Sequence, residues 1–199
     1  MPRKFQLKFN DPAPDFEVQA ASGSLIRLSS LWAEQPLLLA FIRHFGCPQC
    51  KIMLDELRQG LPDMQRHHIS LAAITQGAVA ETRGFCQDYA PDINCLCDPQ
   101  HTVYSAYGLG RGNLLQVLLA PQIWRGNARA RKKGYSPQMP PKGQDALLMS
   151  GVFIIGPDGR IRLPYYYDNI ADHPPFTLLL EGFLGTAWDK PLETPLKPQ

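Results

Sequence analysis

The sequence of 199 residues lacks any uncharged stretch that is long enough to cross a membrane as a helix. The longest such stretch, His67 to Ala80, has 14 residues, whereas a spanning helix needs about 20. No apolar segment of signal-peptide length follows the first charged residues, so a secretory signal is not expected. We therefore expect a cytoplasmic protein whose five cysteines are thiols, ligands or catalysts, rather than a structural disulfide framework.

Acidic residues are absent between Asp98 and Asp145, although the formal net charge of the chain is only +2. Seven cations fall in this gap: Arg111, Arg125, Arg129, Arg131, Lys132, Lys133 and Lys142. Four of them recur at helical spacing from Arg125 to Lys133, which predicts a cationic helix face. A solvated face is the favoured interpretation, and a contact surface for an acidic protein or a membrane is the alternative. Basic and aromatic residues do not alternate, so nucleic acid is not an expected partner.

Short apolar runs bounded by turn residues predict strands that are buried on both faces. These runs are Leu37–Ile42, Ile69–Ile74 and Gly151–Ile155. Helical spacing follows the first run, with Pro48 in the first turn and with Gly60 and Pro62 expected to kink or divide the helix. Pro157 and Gly159 then predict a turn into an antiparallel strand. The order of these elements predicts an α/β sandwich with a mixed sheet.

Weaker patterns predict the remaining elements. Strands are expected at 16–18, 25–28 and 93–97, and helices at 29–32, 78–89, 114–133 (interrupted by Pro121) and 177–184, with a proline-rich loop at 135–142.

Two cysteines, Cys47 and Cys50, stand where the first buried strand meets the first helix. Positions i and i+3 of a helix lie about 5–6 Å apart, within reach of a disulfide. The N-terminus of a helix stabilises a thiolate, and the neighbouring Arg43, His44 and Lys51 would add positive charge. We expect Cys47 to be the nucleophile because it comes first and should be the more exposed, with Cys50 as the resolving thiol.

A pair of cysteines at this spacing is also half of a zinc site, and Cys95 and Cys97 offer a second pair. The redox interpretation is favoured because Cys47 and Cys50 follow a strand and open a helix, so no metal is expected. We expect Cys86, Cys95 and Cys97 to behave as buried, small apolar residues.

Four blocks of the sequence resemble the thioredoxin-fold peroxiredoxin superfamily, and more closely the peroxiredoxin-like 2 group within the AhpC/TSA-like proteins. The matching blocks are Asp11–Phe16, Phe41–Cys50, Gly151–Gly159 and Asp172–Pro175. Their order and spacing extend the resemblance over nearly the whole chain. The resemblance implies a thioredoxin-like fold of the peroxiredoxin type, with a mixed central sheet flanked by helices on both faces.

The same resemblance implies one thioredoxin-like domain over residues 1–199. Extended tails are expected at 1–10 and 186–199, and a basic, proline-containing insertion at 108–147. It further implies reduction of a peroxide or disulfide by thiols, with no bound cofactor and with an external thiol reductant such as thioredoxin or glutathione. A homodimer is left open.

The chain departs from this family at three positions that carry its chemistry. Typical peroxiredoxins have a Pro, a Thr and an Arg where this sequence has Ala40, His44 and Ser150. The Thr and Arg hold the peroxide, so another group has to supply donors here, and Arg43 or His44 is nearest. For His44, a ring bonded to a backbone carbonyl at the strand end is the favoured interpretation. Ser150 also replaces the cis-proline of thioredoxins and glutaredoxins.

Three functions follow from these observations. The first is an antioxidant thiol peroxidase in which Cys47 attacks a peroxide and Cys50 closes a redox-active disulfide. The second is a thiol–disulfide oxidoreductase that uses the same sulfurs, with organic endoperoxide reduction as a variant found within the resembled group. The third is a non-catalytic binding module, which predicts ordinary thiol pKa values. Thr75 and Gln76 follow the second buried strand and either wall the site or begin a loop.

Overall fold

The computed structural model describes residues 5–181 and 188–189. Seven strands form one sheet within these residues. They are β1 (Glu17–Ala20), β2 (Leu25–Arg27), β3 (Leu37–Phe41), β4 (Ser70–Thr75), β5 (Asn94–Cys97), β6 (Gly151–Ile155) and β7 (Ile161–Tyr166). The spatial order is β2-β1-β5-β4-β3-β6-β7, with β3 parallel to β4 and antiparallel to β6. The predicted mixed sheet is confirmed.

Six α-helices surround the sheet in the described part of the chain. They are α1 (Pro48–Gln59), α2 (Leu61–Arg66), α3 (Val79–Tyr89), α4 (Thr102–Ala106), α5 (Pro121–Lys132) and α6 (Phe176–Glu181). A 3₁₀ turn at Leu28–Leu31 and a π turn at Leu115–Leu119 complete the set. The sequence patterns did not predict α4, and residues 182–184 of the predicted last helix lie outside the described residues. None of the described helices is both long and apolar enough to cross a membrane.

Strand β3 lies between β4 and β6 in the sheet, and its two faces enter two separate cores. Leu38 and Ala40 pack with α1, α2 and α3 on one face. Leu37, Leu39 and Phe41 pack on the other face, where α4 and the N-terminal segment cover the sheet. An apolar run without alternation is the expected pattern for such a strand. Helices therefore flank both faces, as the resemblance implied.

The division between α1 and α2 has a steric cause. Gly60 ends α1, and a Cβ placed on it would overlap the ring of Phe176. Only glycine fits so close to that ring, and Pro62 in the first turn of α2 restarts the helix. The predicted break in this helix is confirmed.

The segment 108–147 lies between α4 and β6, and its helix α5 packs on α1. Gly126 allows the close approach, since a Cβ there would contact the Gln49 side-chain amide at 2.8 Å. The Gln49 amide donates to Asn127 at 2.9 Å. The expected tail at 1–10 is described from residue 5, and Leu7 is buried there. Most of the expected tail at 186–199 lies outside the described residues.

Candidate active site at Cys47

Cys47 is the N-terminal cap of α1, six residues after the end of β3. A tight turn precedes it, in which the Cys47 N–H donates to the His44 carbonyl at 3.0 Å. Pro48 occupies the first helical position, where its missing N–H costs nothing. The predicted junction of strand and helix is therefore present, and both Cys47 and Cys50 are free thiols.

Both sulfur-bearing side chains are deeply buried, at 1% exposure each. The expectation that Cys47 would be the more exposed of the two is wrong. The cause is the proline-rich loop, whose Gln138 N–H donates to the Gly46 carbonyl at 3.0 Å and which therefore covers the turn. Gly46 permits this contact because a Cβ would overlap the loop backbone at Gln138 and Met139.

Arg43 is the cation that contacts the Cys47 sulfur. Its Nη1 donates to the sulfur at 3.5 Å, and its Nε donates to the Leu148 carbonyl at 3.2 Å. Its Nη2 donates to the Ala146 carbonyl. The side chain is only 3% exposed, so the guanidinium is fixed beside the thiol by two carbonyls of the segment that leads into β6. The structure thus brings together Arg43, Cys47 and Cys50.

The two thiols have pKa values shifted in opposite directions. Burial opposes ionisation of Cys47, but the Cys50 thiol, the Arg43 charge and the Cys50 backbone N–H outweigh it and lower the pKa of Cys47 to about 6. Burial and the neighbouring Cys47 raise the pKa of Cys50 well above its usual value. Cys50 also accepts a hydrogen bond from the Arg43 backbone N–H at 3.4 Å. Cys47 is thus the more acidic thiol. Its lower pKa supports Cys47 as the nucleophile, whereas exposure does not distinguish the two cysteines.

The other two predicted cations do not reach the Cys47 sulfur in this way. Burial, followed by the Arg43 charge, lowers the pKa of His44 to about 4, so its ring is neutral at pH 7. Its Nδ1 is buried without a hydrogen-bond partner among the described residues, so the structure gives that nitrogen no bond to a backbone carbonyl. Lys51 donates to the Tyr89 hydroxyl at 3.0 Å and lies over the Tyr89 ring.

A cavity of about 460 Å³ adjoins Cys47, Pro48, Arg43 and His44. Much of its lining is apolar and includes Val117, Leu118, Leu119, Ile123, Trp124 and Ile170. Cys50 does not line it. A volume in this range accommodates a small organic molecule. The cavity is therefore largely apolar, with the Cys47 thiol and the Arg43 guanidinium among the groups that line it.

Two glutamines that the sequence could not assign hold the site together. Gln76, at the end of β4, donates to the Arg43 carbonyl and to the Asp145 carbonyl, and accepts from the Asp145 N–H at 2.7 Å. Gln144 accepts from the Phe45 N–H at 3.0 Å. Gln76 therefore does not line the cavity and does more than begin a loop, because its hydrogen bonds hold the Arg43 backbone against residue 145. The position after a buried strand was the only signal for it.

Ser150 lies away from this cavity. It is buried at the start of β6 and lines a second cavity of about 410 Å³ with Tyr166 and Tyr167. The described residues contain no cis peptide bond.

The block at 172–175 lies outside the lining of the Cys47 cavity. His173 Nδ1 is 3.1 Å from the Tyr167 hydroxyl, and that hydroxyl donates to the Met53 sulfur.

The remaining cysteines correct one expectation. Cys86 in α3 and Cys95 in β5 form a disulfide, so the expectation of free, apolar thiols is wrong for this pair. The sequence pattern did not reveal that α3 packs on β5 with these residues face to face. Cys97 is a free buried thiol, and burial raises its pKa. Within residues 5–181 and 188–189, no three His, Cys, Asp or Glu side chains come together to hold a metal ion.

Comparison with known proteins agrees with this fold. The chain is 24% identical to peroxiredoxin-like 2C of Bos taurus over 174 residues, which covers 84% of this chain and 76% of the relative. It is 28% identical to prostamide/prostaglandin F synthase of Danio rerio over 159 residues, which covers 77% of each chain.

Among solved structures, peroxidoxin BcpB from Mycobacterium tuberculosis has the same fold. The TM-score is 0.62 at 21% identity, over 83% of this chain and 90% of that one. The profile of the AhpC/TSA family matches residues 9–163. This match spans most of the chain and contains both Cys47 and Cys50, so the protein belongs to the AhpC/TSA family, with the peroxiredoxin type of thioredoxin-like fold.

Proposed function

We propose that the protein reduces peroxides through Cys47 and that Cys50 resolves the oxidised thiol. One observation carries the proposal: the Cys47 sulfur accepts a hydrogen bond from Arg43, and both residues line the cavity. The pKa of Cys47 is lowered to about 6. A thiolate, not a thiol, attacks the O–O bond. Family membership supports thiol-dependent redox chemistry in general.

The chemistry proceeds in two balanced steps. The Cys47 thiolate attacks one peroxide oxygen, the O–O bond breaks, and the departing alkoxide takes a proton to leave as an alcohol or water. Cys47 is then a sulfenic acid. The Cys50 sulfur attacks it, an S–S bond forms, and hydroxide leaves with the Cys50 proton as water. Two electrons from an external thiol, such as thioredoxin or glutathione, restore both thiols.

Arg43 replaces the donors that typical peroxiredoxins have and this chain lacks. Its Nη1 lies beside the sulfur, where it can donate to the peroxide oxygen that becomes negative. The side chain is held rigid by the carbonyls at 146 and 148, so little reorganisation is needed when the charge develops. His44 is neutral at pH 7 and does not supply this charge.

The apolar wall of the cavity favours organic peroxides over hydrogen peroxide as substrates. Leu118, Leu119 and Trp124 give an alkyl or aryl group a surface to contact, whereas hydrogen peroxide has none. Relatives named prostamide/prostaglandin F synthase point in the same direction. We expect kcat/KM to be higher for cumene hydroperoxide than for hydrogen peroxide, and replacement of Leu119 by Asn to reduce that ratio.

The decisive experiment mixes the reduced protein with one equivalent of peroxide from pH 5 to pH 9 and measures the Cys47–Cys50 disulfide by mass. Cys47→Ser should abolish the reaction. Cys50→Ser should stop at a sulfenic acid that dimedone traps. Cys97→Ser, a matched control at another buried thiol, should react like the parent protein. Full peroxide reduction by Cys47→Ser would refute the proposal.

The same samples distinguish the two alternatives. Faster reaction with glutathione disulfide than with any peroxide would favour disulfide exchange. No reaction with either oxidant, together with a Cys47 midpoint near the usual thiol value of about 8.5, would favour a non-catalytic binding module. The lowered pKa of Cys47 disfavours the second alternative.

A further inference from the structure

An exposed apolar cluster forms the outer edge of the segment between α4 and β6. Five of the nine large hydrophobic side chains that are strongly exposed among the described residues lie in the short stretch 114–124. We call them the leucine patch: Leu114, Leu115, Leu118, Leu119 and Trp124. Each is between 56% and 70% exposed. Single exposed apolar residues are common on proteins, but a contiguous cluster marks an interaction surface.

The patch is built by a turn that points its leucines outward. In the π turn Leu115–Leu119, Val117 is the buried anchor, while its neighbours Leu118 and Leu119 face solvent. Helix α5 follows directly and is anchored by Ile123 and Ala130, which are seven residues apart and therefore on one face.

The outward half of α5 carries cations beside Trp124. At about 100° per residue, Arg125 and Lys132 lie opposite Ile123, and Trp124 and Arg131 lie together on one flank, about 80–100° from it. Arg125, Arg131 and Lys132 are exposed and form no ion pair with another described residue. The cations that were predicted to form one face of the helix therefore fall into two groups, one exposed and one paired with α1.

The other cations of this helix have a structural role. Arg129 pairs with Glu56, and Lys133 pairs with Asp55 at 2.7 Å, so both tie α5 to α1. Their charges are thus already paired within the molecule. The outward cations and the leucine patch remain, side by side on one surface.

We propose that the leucine patch and the outward cations of α5 dock on an anionic lipid surface. Leucines that enter the acyl region, a tryptophan at headgroup level and flanking cations are the features that hold a peripheral protein at a membrane interface. A second copy of this chain fits less well, because a two-fold contact would bring the same cations together with no acidic residue between Asp98 and Asp145 to pair with them. Docking on lipid stands whether or not Cys47 reduces peroxides.

Leu118, Leu119 and Trp124 also line the cavity above Cys47. Docking therefore places this cavity beside the lipid surface.

Trp124 supplies a local probe of docking. Of the three tryptophans, Trp32 is 5% and Trp188 is 7% exposed, whereas Trp124 is 70% exposed. With vesicles of phosphatidylcholine and phosphatidylglycerol, we expect a blue shift of the tryptophan emission and its quenching by brominated acyl chains. Both signals should disappear in Trp124→Phe and weaken at high salt. Vesicles of phosphatidylcholine alone should bind more weakly.

Two sets of variants test the two halves of the surface. Leu114→Gln/Leu115→Gln changes patch residues that do not line the cavity, and should weaken binding while peroxide reduction in solution is unchanged. Arg125→Gln/Arg131→Gln/Lys132→Gln should weaken binding to anionic vesicles about a hundredfold, since each cation near the surface contributes about fivefold.

A matched control removes three exposed cations elsewhere: Lys8→Gln/Arg66→Gln/Arg160→Gln. This control should bind within a few-fold of the parent protein. Equal loss in both charge variants would mean that net charge, not this surface, drives binding, and would overturn the proposal. So would the absence of a Trp124 signal with anionic vesicles, or a dimer in sedimentation velocity that the Leu114→Gln/Leu115→Gln variant converts to monomers.

Discussion

Replacement of Arg43 by methionine tests how the Cys47 thiol is activated. The guanidinium Nη1 lies 3.5 Å from the sulfur and is buried. At an effective dielectric constant of about 20, a unit charge at this distance changes the free energy of ionisation by roughly 4–5 kcal/mol, or about 3 pKa units. The Cys50 contributions remain in this variant, so we expect the pKa of Cys47 to rise from about 6 to about 8–9.

The consequence at neutral pH is large. With a pKa of about 6, roughly nine-tenths of Cys47 is ionised at pH 7, and with a pKa of about 8–9 only about a tenth to a hundredth is. We expect the peroxide reaction at pH 7 to slow by about ten- to a hundredfold. The assay is the rate of Cys47 alkylation by iodoacetamide against pH, with the modified residue identified by mass.

The control separates activation from stability. Arg43→Met also leaves the carbonyls at 146 and 148 without their donor, at a cost of about 1–3 kcal/mol each. Arg162, on β7, is a second buried arginine and pairs with Asp158. Arg162→Met should lower stability without changing the Cys47 midpoint. A midpoint that stays near 6 in Arg43→Met would refute the assigned role of the guanidinium.

Further predictions concern stability. Because the folded Cys47 loses its proton before the unfolded one, the reduced protein should gain stability from about pH 6 to pH 9, by up to about 1.4 kcal/mol per pH unit, and lose it as the pH falls through 6. His44 and His173 have pKa values lowered to about 4, so stability should fall from about pH 6.5 to pH 4, and His173→Gln should halve this slope. Cys86→Ala/Cys95→Ala should lower the free energy of unfolding by about 2–3 kcal/mol.

Urea denaturation at each pH measures all three effects. Cys47→Ser should remove the rise between pH 6 and pH 9, and an unchanged rise would contradict the assignment to Cys47. If the free energy of unfolding falls equally steeply below pH 6.5 with and without His173, groups other than His173 cause the fall. The double cysteine variant should keep the alkylation rate of Cys47, and a changed rate would mean that the disulfide acts on the site.

The local parts of the molecule could be predicted from the sequence. Apolar runs located β3, β4 and β6, and the pair Cys47 and Cys50 marked the junction of strand and helix. These features depend on neighbours along the chain, so spacing and turn residues suffice to find them.

The parts that depend on distant neighbours could not be predicted. Arg43 reaches carbonyls about a hundred residues further along the chain, and no local pattern encodes that contact. The burial of Cys47 depends on the loop at Gln138, and the disulfide depends on how α3 lies on β5. Each of these needs the tertiary fold, not the periodicity of one element.

The long reach of Arg43 has a consequence for the newly made chain. Synthesis delivers Cys47 and Cys50 well before the carbonyls at 146 and 148, and before β6, the neighbour of β3 in the sheet. Until that point a growing chain on the ribosome has no fixed guanidinium beside the sulfur, so its thiols have ordinary acidity. The lowered pKa of Cys47 therefore requires a completed sheet, and an unfinished chain lacks the fixed Arg43 charge that favours the thiolate.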